Sequence, residues 1–136
     1  MYLIGFPLLV IPFAIYNMIA FLMPGLNWTD KIASIHLMSG QDWTITTEDV
    51  LVGFAILLLA GEVMKATRIS TRSIIDHILS LALFIAMLVE FLLVKQAGTS
   101  TFFLLMITSV VDVVAGFTVT TRTAQRDMMV EKSEQA

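Results

Sequence analysis

Residues 101–121 read TFFLLMITSVVDVVAGFTVTT, a run with a single charge, Asp112. A bilayer core is about 30 Å thick and an α-helix rises about 1.5 Å per residue, so about 20 apolar residues cross it. This stretch has that length. Three others resemble it: 3–23, which is free of charge; 50–67, interrupted by Glu62 and Lys65; and 74–94, which holds Asp76 and Glu90. Lipid offers the backbone no hydrogen bonds, so only helices or closed barrels span it, and unbroken apolar runs do not fit the alternation of barrel strands. The expected fold is all-α: a four-transmembrane-helix bundle, up-down-up-down, forming one integral membrane domain over residues 1–136.

Composition agrees. Of 136 residues, 57% are hydrophobic and 14% charged, and the mean hydropathy is +0.87. A water-soluble domain carries roughly a quarter of its residues as charges. The net charge of −3 offers no basic face for nucleic acid. With no cysteine, disulfides and thiolate metal sites are excluded from this sequence. The first run lacks the basic flank of a signal peptide and reads as a retained helix, with Pro7 in its first turn and Pro12 kinking it near mid-membrane.

Orientation follows from the cations. Lys65, Arg68 and Arg72 lie between the second and third runs, and Arg122, Arg126 and Lys132 follow the fourth, leaving only Lys31 and Lys95 for the opposite side. The positive-inside rule makes the crowded side cytoplasmic, with both termini there. The expected location is the plasma membrane, specifically a bacterial inner membrane. Residues 24–49 then form an outer loop, where Ile35, Leu37, Trp43 and Ile45 alternate with polar neighbours around Ser39–Gly40–Gln41. That pattern predicts either a short β-hairpin or an irregular loop on the headgroups. Thr46, Thr47, Glu48 and Asp49 suit a helix start, as do Ser73 with Asp76, and Thr99 with Ser100. The tail 122–136 is polar, and the fourth helix is expected to run into it.

Intramembrane polar residues are the candidate functional groups, because charges there are costly and face the bundle interior. Asp112 lies twelve residues past Ser100, about 18 Å along the helix. It shares a face with Thr101, Thr108, Gly116 and Thr120, which is either a packing seam or a site. Glu62 lies twelve residues past Val50 on a helix running the same way, so it is expected at the depth of Asp112. Two close carboxylates in a low dielectric share a proton or capture a cation. Alternatively, Glu62 pairs with Lys65 and snorkels to the headgroups. Glu90 and Asn17 match in depth and form a candidate interhelical polar pair. Asp76 reads as a cap residue, and His77 as an interfacial histidine near Arg68 and Arg122. With His36 expected on the other side, no bis-histidine haem site is expected, nor any metal cluster or other cofactor.

No HExxH, phosphate loop or GxSxG motif is present, so no catalytic residues are assigned and the chain is expected not to be an enzyme. In length and helix count it resembles the small multidrug transporters. Their essential glutamate lies in the first helix, and the first run here has no acid, so the resemblance stops there. Two functional expectations remain. The first is a non-enzymatic accessory or scaffold protein packing with other membrane subunits or itself. The alternative is a small oligomeric transporter or proton- or cation-conducting protein using Asp112 and Glu62.

Overall fold

The computed structural model describes residues 7–66 and 71–135. These residues are mostly helical, and the element order is α1 (Val10–Leu22), β1 (Lys31–His36), β2 (Asp42–Thr46), α2 (Thr47–Ala66), α3 (Thr71–Leu93), a 3-10 turn (Lys95–Ala97) and α4 (Ser100–Gln135). Helix α4 is the hub, packing most extensively on α2 and next on α3, while α1 leans on α2.

The helix boundaries follow their caps. Helix α2 starts three residues earlier than the apolar run, because Thr46 and Asp49 close a reciprocal box: Thr46 N donates to Asp49 Oδ2 (3.0 Å) and Asp49 N donates to Thr46 Oγ1 (3.3 Å). Thr99 caps α4, its Oγ1 accepting from Phe102 N at 3.2 Å. The sequence reading of Ser73 and Asp76 as a cap is corrected: α3 already begins at Thr71, so Asp76 lies beyond its first turn.

Helix α1 also departs from expectation. Its described length is 13 residues, entered through turns in which Val10 N donates to Pro7 O and Ile11 N to Leu8 O. Residues 3–6 of the expected helix lie outside the described residues, as does Thr67. Pro12 therefore falls in the first turn of α1, where its missing N–H is harmless, and it makes no mid-helix kink.

Two helical segments, Ile74–Leu93 and Ser100–Val119, are long and apolar enough to cross a membrane. The expected four spans shrink to two by that measure for physical reasons. Helix α1 measures about 20 Å at 1.5 Å per residue, and α2 carries Glu48, Asp49, Glu62 and Lys65. Helix α4 runs 36 residues, about 54 Å, so most of the expected polar tail is helix.

The outer loop contains the hairpin. β1 and β2 pair antiparallel with Ile35 opposite Trp43 and Ala33 opposite Ile45. The connection needs Gly40, whose φ of 91° lies in the left-handed region. His36 Nδ1 meets Asp42 Oδ1 at 2.6 Å on the opposite, polar face.

The bundle buries a polar cluster beside an apolar core that includes Tyr16, Met87, Phe102 and Leu105. Glu62, Asp76, His77, Ser80, Thr101, Thr108, Ser109 and Asp112 are buried, whereas Phe103, Ile107, Val111 and Val114 form an exposed ridge along α4. Ile74, Ile78, Ile85, Val89 and Leu92 do the same on α3. Exposed apolar area this extensive marks a surface that meets something other than water.

Candidate functional site

Three helices build the polar centre. Glu62 and Lys65 sit one turn apart near the end of α2, and Lys65 Nζ lies 3.0 Å from Glu62 Oε1. The same ammonium lies 3.4 Å from Asp76 Oδ2 on α3, across the connection between the two helices. Lys65 is 15% exposed at its side chain, against 2% and 4% for its two partners. The pair expected to snorkel is thus turned inward, and Asp76 is its third member. A buried carboxylate pair sharing one ammonium is held in place mainly because leaving either acid without it would be costly.

Glu62 has a second duty. Its Oε1 accepts the Leu8 N–H at 2.6 Å, just before α1 begins. That helix has no acid in its first turn and no side-chain cap of its own. An anion at the amino end of a helix offsets its dipole, so the α2 glutamate acts as the external cap of α1. Gly61 allows the approach: a Cβ there would stand 3.2 Å from Leu8 Cδ1.

Asp112 comes from α4 and is 4% exposed. Glu62, Asp76 and Lys65 all lie within its electrostatic reach, and the Ser80 hydroxyl of α3 lies beside it. Neither Ser80 Oγ nor Asp112 Oδ2 attains hydrogen-bond geometry with a partner among the described residues. The face expected on α4 is buried at Thr101, Thr108, Asp112 and Gly116, and Thr108 Oγ1 donates to Leu104 O at 2.8 Å. This face is consumed within the chain. The Thr120 side chain lies outside the described residues.

One turn beyond Asp112, Gly116 receives the imidazole of His77: a Cβ on Gly116 would stand 2.9 Å from His77 Cε1. The ring also lies 5.2 Å from that of Phe117. His77 is therefore buried against α4 near the start of the α3 segment; Arg68, its expected neighbour, lies outside the described residues.

Glu90 and Asn17 face each other between α3 and α1. Asn17 Nδ2 donates to Phe13 O at 3.0 Å, and the Asn17 amide also reaches the Glu90 carboxyl. Glu90 Oε2 is buried without a partner among the described residues.

Sequence reasoning missed the organising role of Tyr16. Its ring is fully buried, stacked on Trp28 (4.6 Å, 5°) and edge-on to Phe102 (5.0 Å, 67°). Its hydroxyl donates to Gln96 O at 2.8 Å and lies 2.7 Å from Thr99 Oγ1. Since Thr99 also caps α4, this phenol fastens α1 to the turn between α3 and α4. A tyrosine inside a charge-free run was the available signal, because a buried Tyr hydroxyl requires a partner.

No group of three or more metal-ligating side chains stands close enough to hold a metal ion among the described residues. Fold and site together define a class: a mostly helical protein with exposed apolar ridges, a buried polar cluster beside an apolar core, and two helices long and apolar enough to cross a membrane. No family model, curated protein or solved structure matches this chain.

Proposed function

We propose that this protein is a four-span integral membrane protein of a bacterial inner membrane, with both ends cytoplasmic. In this reading it works without catalysis, as an accessory or scaffold subunit bound to other membrane proteins or to itself. The exposed aliphatic ridges on α3 and α4 support immersion in lipid, since apolar surface this extensive is unfavourable in water. Helices α1 and α2, too short or too charged taken singly, complete the bundle, α2 by packing on α4 and α1 by packing on α2 and α4.

The observation that carries the accessory role is the length of α4. A bilayer core takes about 30 Å of its roughly 54 Å, which leaves several turns in the cytoplasm. That extension exposes Met128, Met129 and Val130 among polar neighbours. Apolar side chains exposed on a helix that has left the membrane are unfavourable in water, so a partner that covers them would stabilise the extension. Glu62, Lys65 and Asp76, by contrast, are spent on one another.

Gentle-detergent purification followed by native mass spectrometry tests this. Full-length protein should carry a stoichiometric partner or a second copy, and a chain ending at Arg122 should lose it while keeping its melting temperature. Full-length protein that is monomeric and alone, or a truncated chain that keeps the same complex, would refute the role assigned to α4. One observation favours the alternative, an oligomeric proton- or cation-conducting protein: Asp112 keeps a buried carboxylate oxygen with no partner among the described residues.

A further inference from the structure

Two apolar grooves run along α2 beside the hairpin, and they share one wall. The first, of about 350 Å³, is lined by Trp43 and Ile45 from β2 and by Gly53 and Leu57 from α2. The second, of about 160 Å³, is lined by Ile15 and Ile19 from α1, Ile32 from β1 and Leu51 from α2. Val50 and Phe54 line both. They are four residues apart and so lie on one face of the helix, where they form the common wall. A Cβ added at Gly53 would meet nothing within 4 Å, so the first groove stands open.

Polar groups gather at one end only. Asp49 lines the first groove and Thr47 the second, and both belong to the first turn of α2. Asp49 Oδ2 accepts the Thr46 N–H, which leaves Oδ1 for a second partner. The exposed Lys31 is in register with Thr46 and precedes Ile32 of the second groove. The mouth therefore carries one anion and one cation, and everything beyond it is apolar. From Asp49 to Leu57 the first groove follows α2 for about 12 Å, most of the roughly 15 Å depth of one leaflet core.

We propose that the two grooves seat a single two-chain phospholipid with an ethanolamine head group. One acyl chain lies on each side of the Val50–Phe54 wall, the ammonium meets Asp49, and the phosphate meets Lys31. A charge-assisted hydrogen bond at the ammonium selects the head group, and apolar contact along both chains supplies the rest of the affinity. The bound lipid would fasten the hairpin and α1 to the same face of α2. The site rests on the reading that the bundle is immersed in lipid, and it is independent of the accessory role.

The test uses the full chain with Trp28→Phe, which leaves Trp43 as its sole tryptophan. Delipidated protein in detergent micelles is titrated with phosphatidylethanolamine carrying brominated acyl chains, which quench tryptophan on contact. Quenching should saturate, with native mass spectrometry of the parent chain counting one lipid per copy. Gly53→Leu fills the first groove at an open helical position and should raise the half-saturating concentration about tenfold. Asp49→Asn keeps an acceptor for Thr46 N–H and should erase the preference for phosphatidylethanolamine over phosphatidylglycerol. A single-chain lysophosphatidylethanolamine should bind about tenfold more weakly than the two-chain lipid. Quenching that never saturates, or that ignores Gly53→Leu, overturns the site. So does a lysolipid that binds equally well, a parent chain that does not prefer phosphatidylethanolamine, or a lipid-free dimer that Gly53→Leu dissociates. A chain that stays monodisperse once detergent is removed refutes immersion in lipid, and the site with it; the other failures leave that reading intact.

Discussion

Replacing Lys65 by Met keeps most of the apolar stem of the side chain and removes the ammonium shared by Glu62 and Asp76. It lies 3.0 Å from one acid and 3.4 Å from the other, and both acids are nearly fully buried. If the pair were exposed, its loss would cost about 0.2–1 kcal/mol. Removing one partner of a buried pair costs about 3–5 kcal/mol, because the remaining charge is stranded in a low dielectric. The upper range applies here, since two carboxylates are stranded rather than one, while the 15% exposure of Lys65 moderates it. At about 2–8 °C per kcal/mol for domains of this general size, Lys65→Met should lower the apparent melting temperature by about 10 °C or more. Thermal unfolding in detergent, followed by fluorescence of Trp28 on its Tyr16 stack, reads this directly. The triple variant Lys65→Met, Glu62→Gln, Asp76→Asn should recover most of the loss, because neutral amides need no cation and the carbonyl oxygen introduced by Glu62→Gln can still accept the Leu8 N–H. A single variant within about 1 kcal/mol of the parent would mean that Lys65 extends to the headgroups, and the inward-turned triad would be refuted.

Other elements give further expectations. Tyr16→Phe leaves Gln96 O without its 2.8 Å donor and should cost about 1–2 kcal/mol in the same melting assay, with Tyr16→Ala costing about 3–5 kcal/mol. Gly116→Ala sets a methyl group 2.9 Å from His77 Cε1; overpacking of about 1–3 kcal/mol should outweigh the gain of about 1 kcal/mol in helix propensity, and His77→Ala should reverse the sign in a double-mutant cycle. Gly40→Ala strains a φ of 91° by about 1–2 kcal/mol, so hydrogen exchange of the hairpin amides should accelerate while that of α3 and α4 stays unchanged. Thr46→Ala removes one half of the box at the start of α2 and should cost about 1 kcal/mol.

What could be read from the sequence was what depends on spacing along one element. Alternation of Ile35, Leu37, Trp43 and Ile45 around Gly40 raised the hairpin as one of two readings, because a strand pair has period two and its turn has a glycine requirement, and the hairpin is the one that forms. Offsets of twelve residues past Val50 and Ser100 put Glu62 and Asp112 at one expected depth, and Glu62 lies within the electrostatic reach of Asp112. The start of α1 was not legible: its entry is decided by the turns after Pro7 and by an acid fifty-four residues away, Glu62, accepting the Leu8 N–H. No local pattern encodes a cap supplied by another helix.

The rest of the site depends on how each helix is rotated about its axis, and rotation is set by packing. Asp76 looked like a cap because it follows Ser73, yet Lys65 reaches it from across the α2–α3 connection. Ser80 carried no signal at all, being one hydroxyl in an apolar run; only the seating of α3 against α4 turns it toward Asp112. That seating is itself controlled by a small residue. Gly116 admits His77, His77 lies one residue from Asp76 and three from Ser80, and residues three or four apart share a helix face. The glycine that reads in the sequence as an ordinary close-packing position therefore admits the His77 ring, and a side chain there would push the Ser80 face of α3 away from α4.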